Sequence, residues 1–255
     1  MNLPQRQNEV ERCLHFGGTL SGMSTNPTVR PTLRRDAERN RAALMCTARQ
    51  VFAERGLNVS MAEVAREAGV GIATLYRRFP TRESLLVNVF DDKMTIYVDA
   101  VNAALAQSDP WRGFCDYIER VCAMQLGDRG FANVLTMTFP DEILFEDKRA
   151  VAYRGFEKLI SKAKRAGRLR LEFRSQDLVV LLMANAGVVA GSGDAAEIAS
   201  RRLVSYFLAA ADRECEGELA PAPSTQDMEA AMRRSTGRER DLETETDRKH
   251  LTTNK

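Results

Sequence analysis

The chain reads as an all-α protein, on three observations. Apolar residues recur at helical spacing through most of residues 36–212. No alternating strand pattern of useful length interrupts them. Asp109-Pro110, Gly127-Asp-Arg-Gly130, Gly167 and Gly191-Ser-Gly193 fall between the periodic runs, where helices stop and start.

Helix one is expected over about 36–55, with Leu44, Ala48, Val51 and Phe52 on one inward face. The next stretch, Ser60 to Phe79, reads as helix, tight turn, helix. Ser60 can cap the first helix, and Glu63, three residues later, can return a bond to the cap. Ala65 is small enough for a second helix to cross closely. Gly69 takes the sharp turn, where φ > 0 carries no penalty for glycine. Leu75 and Phe79 then face inward, leaving Ile72, Ala73, Thr74, Tyr76, Arg77 and Arg78 outside. A helix-turn-helix with a basic, hydroxyl-bearing outer surface suits a DNA major groove.

The flanks sharpen this reading. Upstream stand Val51-Phe-Ala-Glu-Arg-Gly56, and downstream Thr74-Leu-Tyr-Arg-Arg-Phe-Pro-Thr-Arg-Glu-Ser-Leu-Leu86. Together with Ser60-Met-Ala-Glu-Val-Ala-Arg-Glu-Ala-Gly-Val70, these motifs resemble the DNA-binding domain of the TetR/AcrR family of bacterial transcriptional regulators over roughly residues 35–90. The departures are small. Gly71 stands where the family usually opens the recognition helix with Ser or Thr, Arg82 replaces the more usual Lys, and Val59 stands where a hydroxyl residue is common.

The resemblance implies a three-helix DNA-binding domain followed by a helical ligand-binding and dimerisation domain. It also implies a homodimer on a double-stranded DNA operator, and release by a small effector. Tyr76, Arg77, Arg78 and Arg82 are expected on phosphates, and Ile72, Ala73 and Thr74 near base edges. Arg35, Ser60, Met61 and Gly71 complete the expected DNA-contacting set. Arg30, Arg34 and Arg35 form a basic arm suited to a minor groove.

Charge agrees with such a partner. The whole chain carries a net +2, but Arg30–Arg82 holds eleven Arg, no Lys and five acids. No run is long and apolar enough for a membrane span, and no secretory leader pattern opens the chain, so a cytoplasmic protein is expected. Met23 is a candidate alternative start. The five scattered cysteines fit a reducing compartment. Cys115 and Cys122 would lie about 10 Å apart along a helix, beyond disulfide reach. Both histidines, His15 and His250, fall in predicted tails, and no glycine-rich phosphate loop follows a strand. Neither an enzyme nor a cofactor or metal site is expected.

The organisation predicted is a disordered arm over 1–33, the helix-turn-helix domain over 34–80, the effector-binding and dimerisation domain over 81–212, and a charged disordered tail over 213–255. A long helix opening at Thr81 carries Leu86, Val89, Phe90, Tyr97, Val101 and Leu105 inward. Further helices are expected near 111–126, 131–139, 141–146, 148–166, 175–190 and 194–212. Most aromatic side chains lie in this second region. Trp111, Phe114, Tyr117, Ile118, Phe139, Tyr153, Phe156 and Met183 are the expected lining of a pocket for a small hydrophobic or amphipathic effector.

Leu178–Ala190 is apolar all round. It must be buried on one face by its own domain and on the other by a second subunit, with Ile198, Leu203, Phe207 and Leu208 of the last helix completing a two-fold four-helix interface. Asn185, the one polar residue there, is expected to bond across the dimer, with a ligand contact as the alternative. The function expected is a repressor freed from its operator when an effector swings the helix 81–106. The alternatives are a constitutive regulator and a small-molecule-binding helical protein without DNA affinity.

Overall fold

The computed structural model describes residues 30–136, 143–215, 217 and 219–231, with side chains from residue 40 onward except 143–146. The helices are α1 (Arg30–Arg55), α2 (Met61–Glu67), α3 (Ile72–Arg78), α4 (Arg82–Leu105), α5 (Pro110–Ala123), α6 (Arg129–Thr136), α7 (Ile143–Arg165), α8 (Ser175–Gly191) and α9 (Ala196–Ala211). A 3₁₀ turn at Gly193–Ala195 leads into α9, and a further helix, α10, is described over 225–231. No strand occurs among the described residues, only an isolated antiparallel bridge between Leu169 and Asp212.

Local chemistry sets the boundaries. Asp109 accepts from the backbone N–H groups of Trp111 and Arg112 at 2.9 and 3.3 Å, and Pro110 at the first helical position gives up no bond there. Thr81 caps α4 by accepting from Ser84 N at 3.0 Å, and Ser84 Oγ returns the bond to Thr81 N at 3.3 Å.

α4 is the central member. It packs on α1 at its N-terminal end and on α5 and α7 along its length, while α8 pairs with α9. Two glycines permit close crossings. A Cβ on Gly155 would lie 2.9 Å from Val101 Cγ1. A Cβ on Gly130 would lie 2.8 Å from both the Phe52 carbonyl oxygen and Phe90 Cζ. Around Gly130 the helix-turn-helix domain joins the rest. Phe52, Phe90 and Phe131 form a ladder with ring centroids 6.2 and 6.1 Å apart. Asn133 Oδ1 accepts from Leu57 N at 3.2 Å. Asp128 caps α6 through Phe131 N at 2.8 Å and pairs with Lys93 of α4.

Four expectations need correction. α1 begins at Arg30, so the basic residues Arg30, Arg34 and Arg35 lie in a helix rather than on an arm; their side chains are outside the described residues, as are residues 1–29. The helices expected at 141–146 and 148–166 are one, Ile143–Arg165. The charged run Glu146–Arg149 is no break because its cations find partners: Lys148 Nζ reaches Asp91 Oδ1 at 2.5 Å, and Arg149 donates to the Val134 carbonyl.

Asn185 makes no bond across a dimer. It is buried within its own subunit, where Nδ2 donates to Gln125 Oε1 at 2.7 Å and Cys122 O at 3.2 Å, and Oδ1 accepts from Ser200 Oγ at 2.7 Å. Finally, the predicted tail is in part ordered. Residues 219–231 return to the body, where Thr225 Oγ1 accepts from Gln176 Nε2 at 2.7 Å; residues 232–255 lie outside the described residues.

The Gly130 crossing gives a direct test. Gly130→Ala forces a methyl group onto the Phe52 carbonyl and the Phe90 ring. We expect a loss of about 1–3 kcal/mol, measured by thermal or urea unfolding, as is usual when a packed crossing is overfilled. An unfolding midpoint equal to wild type would show that α1 and α6 separate freely.

Candidate nucleic-acid interface and internal chamber

The helix-turn-helix is built outward from a buried frame. Leu75 and Phe79 on the inner face of α3, Val64 and Ala65 of α2, and Leu57 and Val59 of the preceding turn belong to one core. Ser60 Oγ accepts from Glu63 N at 3.2 Å, and Glu63 Oε2 accepts from Ser60 N at 3.0 Å. The backbone hydrogen bond from Ser60 holds the Glu63 carboxyl below its ordinary range. Gly69, at φ +66°, makes the turn, and Val70 N closes it onto Ala65 O at 3.0 Å. Gly71 caps α3 without a side-chain bond.

This frame leaves one face of α3 in solvent. Ile72 and Tyr76 are 42% and 45% exposed, large fractions for side chains of that size, and Ala73, Arg77 and Arg78 are exposed beside them. Thr74 is half-buried. Arg82 is half-buried in the first turn of α4, with Nε and Nη2 shielded from solvent. Ser60 and Met61 are both buried: the Ser60 hydroxyl serves the cap and Met61 packs in the core, so their side chains support the reading face rather than belong to it. Arg35's side chain lies outside the described residues.

A chamber of about 570 Å³, partly open to solvent, lies in the second region, within the size range typical of small-molecule sites. Its walls are Tyr97 of α4, Leu135 of α6, Arg149, Ala150, Tyr153 and Phe156 of α7, Ser175, Gln176, Leu178, Val179 and Leu182 of α8, and Thr225, Met228 and Glu229 of α10. Tyr153 Oη and Ser175 Oγ lie 3.2 Å apart at its edge. Burial pushes the Tyr97 phenol above its ordinary range.

The chamber takes only part of the expected lining. Tyr153 and Phe156 are in it. Phe114 and Ile118 are fully buried in packed core instead, with Phe114 stacked on Phe156 at 6.1 Å and edge-on to Phe173 at 5.2 Å. Trp111 stacks on Phe114 at 5.5 Å and carries the Arg168 guanidinium 5.5 Å above its ring. Tyr117 packs on Phe156 and borders a different space, a groove of about 820 Å³ between α4, α5 and α9. That larger groove is rimmed by solvated charge, including the Arg201–Glu197 pair at 2.6 Å. Met183 lies on the outward face of α8, and Phe139 is outside the described residues.

Sequence reading missed Arg149, Ser175, Gln176, Thr225 and Met228. For the last two a signal existed: Ser224-Thr-Gln-Asp227 is a capping pattern, and Asp227 N does donate to Ser224 Oγ at 3.1 Å. Cys115 and Cys122 are poor nucleophiles, with burial pushing Cys115 up to about 11 and Cys122 up to about 12.

Among the described residues, the outer face of α8 is apolar and exposed. Val180, Met183, Ala184, Gly187 and Ala190 are exposed at helical spacing, and Ile198 and Tyr206 of α9 stand out beside them at 76% and 59% exposure. Among the described residues no helix is long and apolar enough to cross a membrane.

Known proteins resemble the chain chiefly in its first domain. Residues 44–89 match the model of bacterial regulatory proteins of the tetR family. An HTH-type transcriptional regulator of Staphylococcus aureus (strain USA300) is 36% identical over 67 residues, which are 26% of this chain and 36% of that protein. The chain thus spans about a third of the length of the curated relatives it matches. Among solved structures, a TetR transcriptional regulator from Streptomyces coelicolor is 27% identical over 69% of this chain and 99% of its own, with a TM-score of 0.45. A TetR-family regulator from Pectobacterium atrosepticum is 23% identical over 72% of this chain and 99% of its own, with a TM-score of 0.48. The match at residues 44–89, with its capped first helix, glycine turn and exposed basic second helix, makes this segment similar to the DNA-binding part of bacterial regulatory proteins of the tetR family.

Proposed function

We propose that this protein is a homodimeric, sequence-specific DNA-binding transcriptional regulator, a repressor that an amphipathic small molecule releases from its operator. The observation that carries the reading is the exposed face of α3. Ile72, Ala73, Tyr76, Arg77 and Arg78 stand in solvent on a helix whose other side is locked by Leu75 and Phe79. Short apolar side chains at the N-terminal end suit base edges, including thymine methyl groups, and the two guanidinium groups at the C-terminal end suit phosphates. Arg82, partly withdrawn, is a secondary phosphate contact in this reading.

A second copy of the chain is the occupant that fits the outer face of α8. Val180, Met183 and Ile198 supply apolar area, and a Cβ added at Gly187 meets nothing within 4 Å, which leaves room for a close helix approach. A two-fold pair would present two α3 helices to one duplex, as reading a palindromic site requires.

Effector control has a physical route in α6. Leu135 at its C-terminal end borders the chamber, and Phe131 and Gly130 at its N-terminal end meet α4 and α1. A molecule that fills the chamber pushes on Leu135, and a two-turn helix transmits that displacement to the Phe131–Phe90–Phe52 ladder. Release follows if the effector binds the DNA-free arrangement better. A coupling of about 1–3 kcal/mol corresponds to a 5- to 150-fold change in operator affinity.

Sequencing the genomic fragments retained by the purified protein, at several salt concentrations, tests the central reading. A shared pseudo-palindromic motif is expected. Retention without any common sequence would reduce the protein to a non-specific DNA binder, and no retention at low salt would leave the helical ligand-binding alternative. Arg77→Ala and Arg78→Ala should each weaken binding to every sequence alike and lower the salt slope by about one. An altered sequence preference with an unchanged slope would assign that arginine to a base instead.

Met183→Asp and Ala184→Glu place a charge on the outer face of α8, where an isolated subunit can solvate it. In a dimer it would be buried at a cost of several kcal/mol. The expected result is a folded monomer by light scattering, with unchanged helicity and weakened operator binding. A dimer that survives both substitutions would move the interface elsewhere.

A further inference from the structure

We propose that Tyr97 and Tyr117 form a donor pair that reads a neutral carbonyl oxygen on the effector, with Tyr97 in contact and Tyr117 positioning it from behind. The proposal rests on the chamber being the effector site and adds the chemical group recognised there.

Tyr97 of α4 lines the chamber. Tyr117 of α5 does not line it but packs on two residues that do, with ring centroids 6.3 Å from Tyr97 and 5.2 Å from Phe156. It therefore stands in the second row of the wall. Tyr117 is 1% exposed, and its hydroxyl has no hydrogen-bond partner among the described residues. The Tyr97 phenol faces that hydroxyl without completing a bond to it. Burial disfavours the ionised form of both phenols, so the pair carries two protons.

Two facing phenols share at most one hydrogen bond, in which one donates and the other accepts. One proton is left over, and leaving it without an acceptor in an apolar surround is costly. An acceptor seated in the chamber against Tyr97 resolves this. Tyr117 then donates to Tyr97, and Tyr97 donates to the acceptor, each bond polarising the next. The other hydroxyl pair on the wall has no such surplus. Ser175 has Gln176 Oε1 3.5 Å beyond it, and Tyr153 is exposed.

The remaining walls select the kind of acceptor. Arg149 and Glu229 both lie in them, one charge of each sign, so the chamber holds no net charge to favour an ionised group. Leu135, Phe156, Leu178, Val179 and Leu182 supply apolar surface. An apolar body ending in a ketone, ester or amide carbonyl fits this pattern.

The test uses prodan, 6-propionyl-2-(dimethylamino)naphthalene, whose emission shifts to the red when its carbonyl accepts a hydrogen bond. Competition against bound prodan compares 2-acetylnaphthalene with 2-isopropenylnaphthalene, in which a methylene replaces the carbonyl oxygen. The ketone should bind about tenfold tighter or more. 2-Naphthoate should bind no better than the ketone. Tyr97→Phe should erase the preference and Tyr117→Phe should reduce it. Each should shift bound prodan to the blue and leave the affinity for 2-isopropenylnaphthalene unchanged. Tyr117→Phe should also unfold no earlier than wild type on heating, because it removes a stranded hydroxyl.

Equal affinity for the two competitors, or a preference that survives Tyr97→Phe, would overturn the donor pair and leave the chamber standing. A clear loss of thermal stability in Tyr117→Phe would have the same consequence, since its hydroxyl would then already hold a partner such as a buried water. Tighter binding of 2-naphthoate would overturn the neutral acceptor. Ala150→Trp and Val179→Trp fill the chamber from α7 and α8. Prodan that fails to bind the wild type, or binds both of these variants equally well, would overturn the chamber as the binding site and the donor pair with it.

Discussion

Everything in this fold depends on how closely α6 can approach α1. The helix-turn-helix is small, and its α2 and α3 pack mainly on each other and on α1. Its orientation relative to the second region is set where α1 meets α4 and α6, and at the α6 crossing the missing side chain of Gly130 lets that helix lie against the Phe52 carbonyl and the Phe90 ring. The aromatic ladder and the Asn133–Leu57 bond then fix the angle and register of that crossing. Packed interiors transmit displacement because they have no slack to absorb it. The same tightness that holds the first domain makes it responsive to whatever moves α6.

The two candidate sites follow opposite design rules. On the reading face the important side chains are exposed, and precision comes from buried residues behind them: Ser60 and Glu63 fix the first helix, and Leu75 and Phe79 fix the second. In the chamber the lining comes from five helices, each contributing one to five side chains. No single helix defines the space, so its shape is sensitive to small relative shifts. A rigid reader and a deformable chamber are what a ligand-responsive regulator requires.

That contrast also explains what was legible in the sequence. The reader is local: caps, turn glycine and inward residues all lie within Ser60–Phe79, and spacing alone separates Leu75 and Phe79 from Ile72, Tyr76, Arg77 and Arg78. Burial of Ser60 and Met61 was less legible, because a capping serine and a DNA-facing serine look alike in one dimension. The chamber is non-local. Aromatic density pointed to the right region but not to its empty part, since Phe114 and Ile118 fill space while Tyr97 and Leu135 border it. Residues 219–231 read as tail because charge and proline outweighed the Ser224–Asp227 cap. Asn185 was misplaced for a related reason: its partners Gln125 and Ser200 lie 60 and 15 residues away.

The Asn185 cluster constrains α8 in one further respect. Its amide is tied to α9 through Ser200 and to the end of α5 through Cys122 O and Gln125, whose own amide donates to Leu182 O at 3.1 Å. All of these groups are buried, so rolling α8 about its axis would strand several polar atoms in an apolar interior, at about 1–3 kcal/mol for each one left unmade. Tilting or sliding keeps them paired far more cheaply. Of the six rigid-body freedoms a helix possesses, the axial spin is the one this cluster removes. The chamber-facing and outward-facing side chains of α8 therefore cannot exchange places, whatever motion the molecule undergoes.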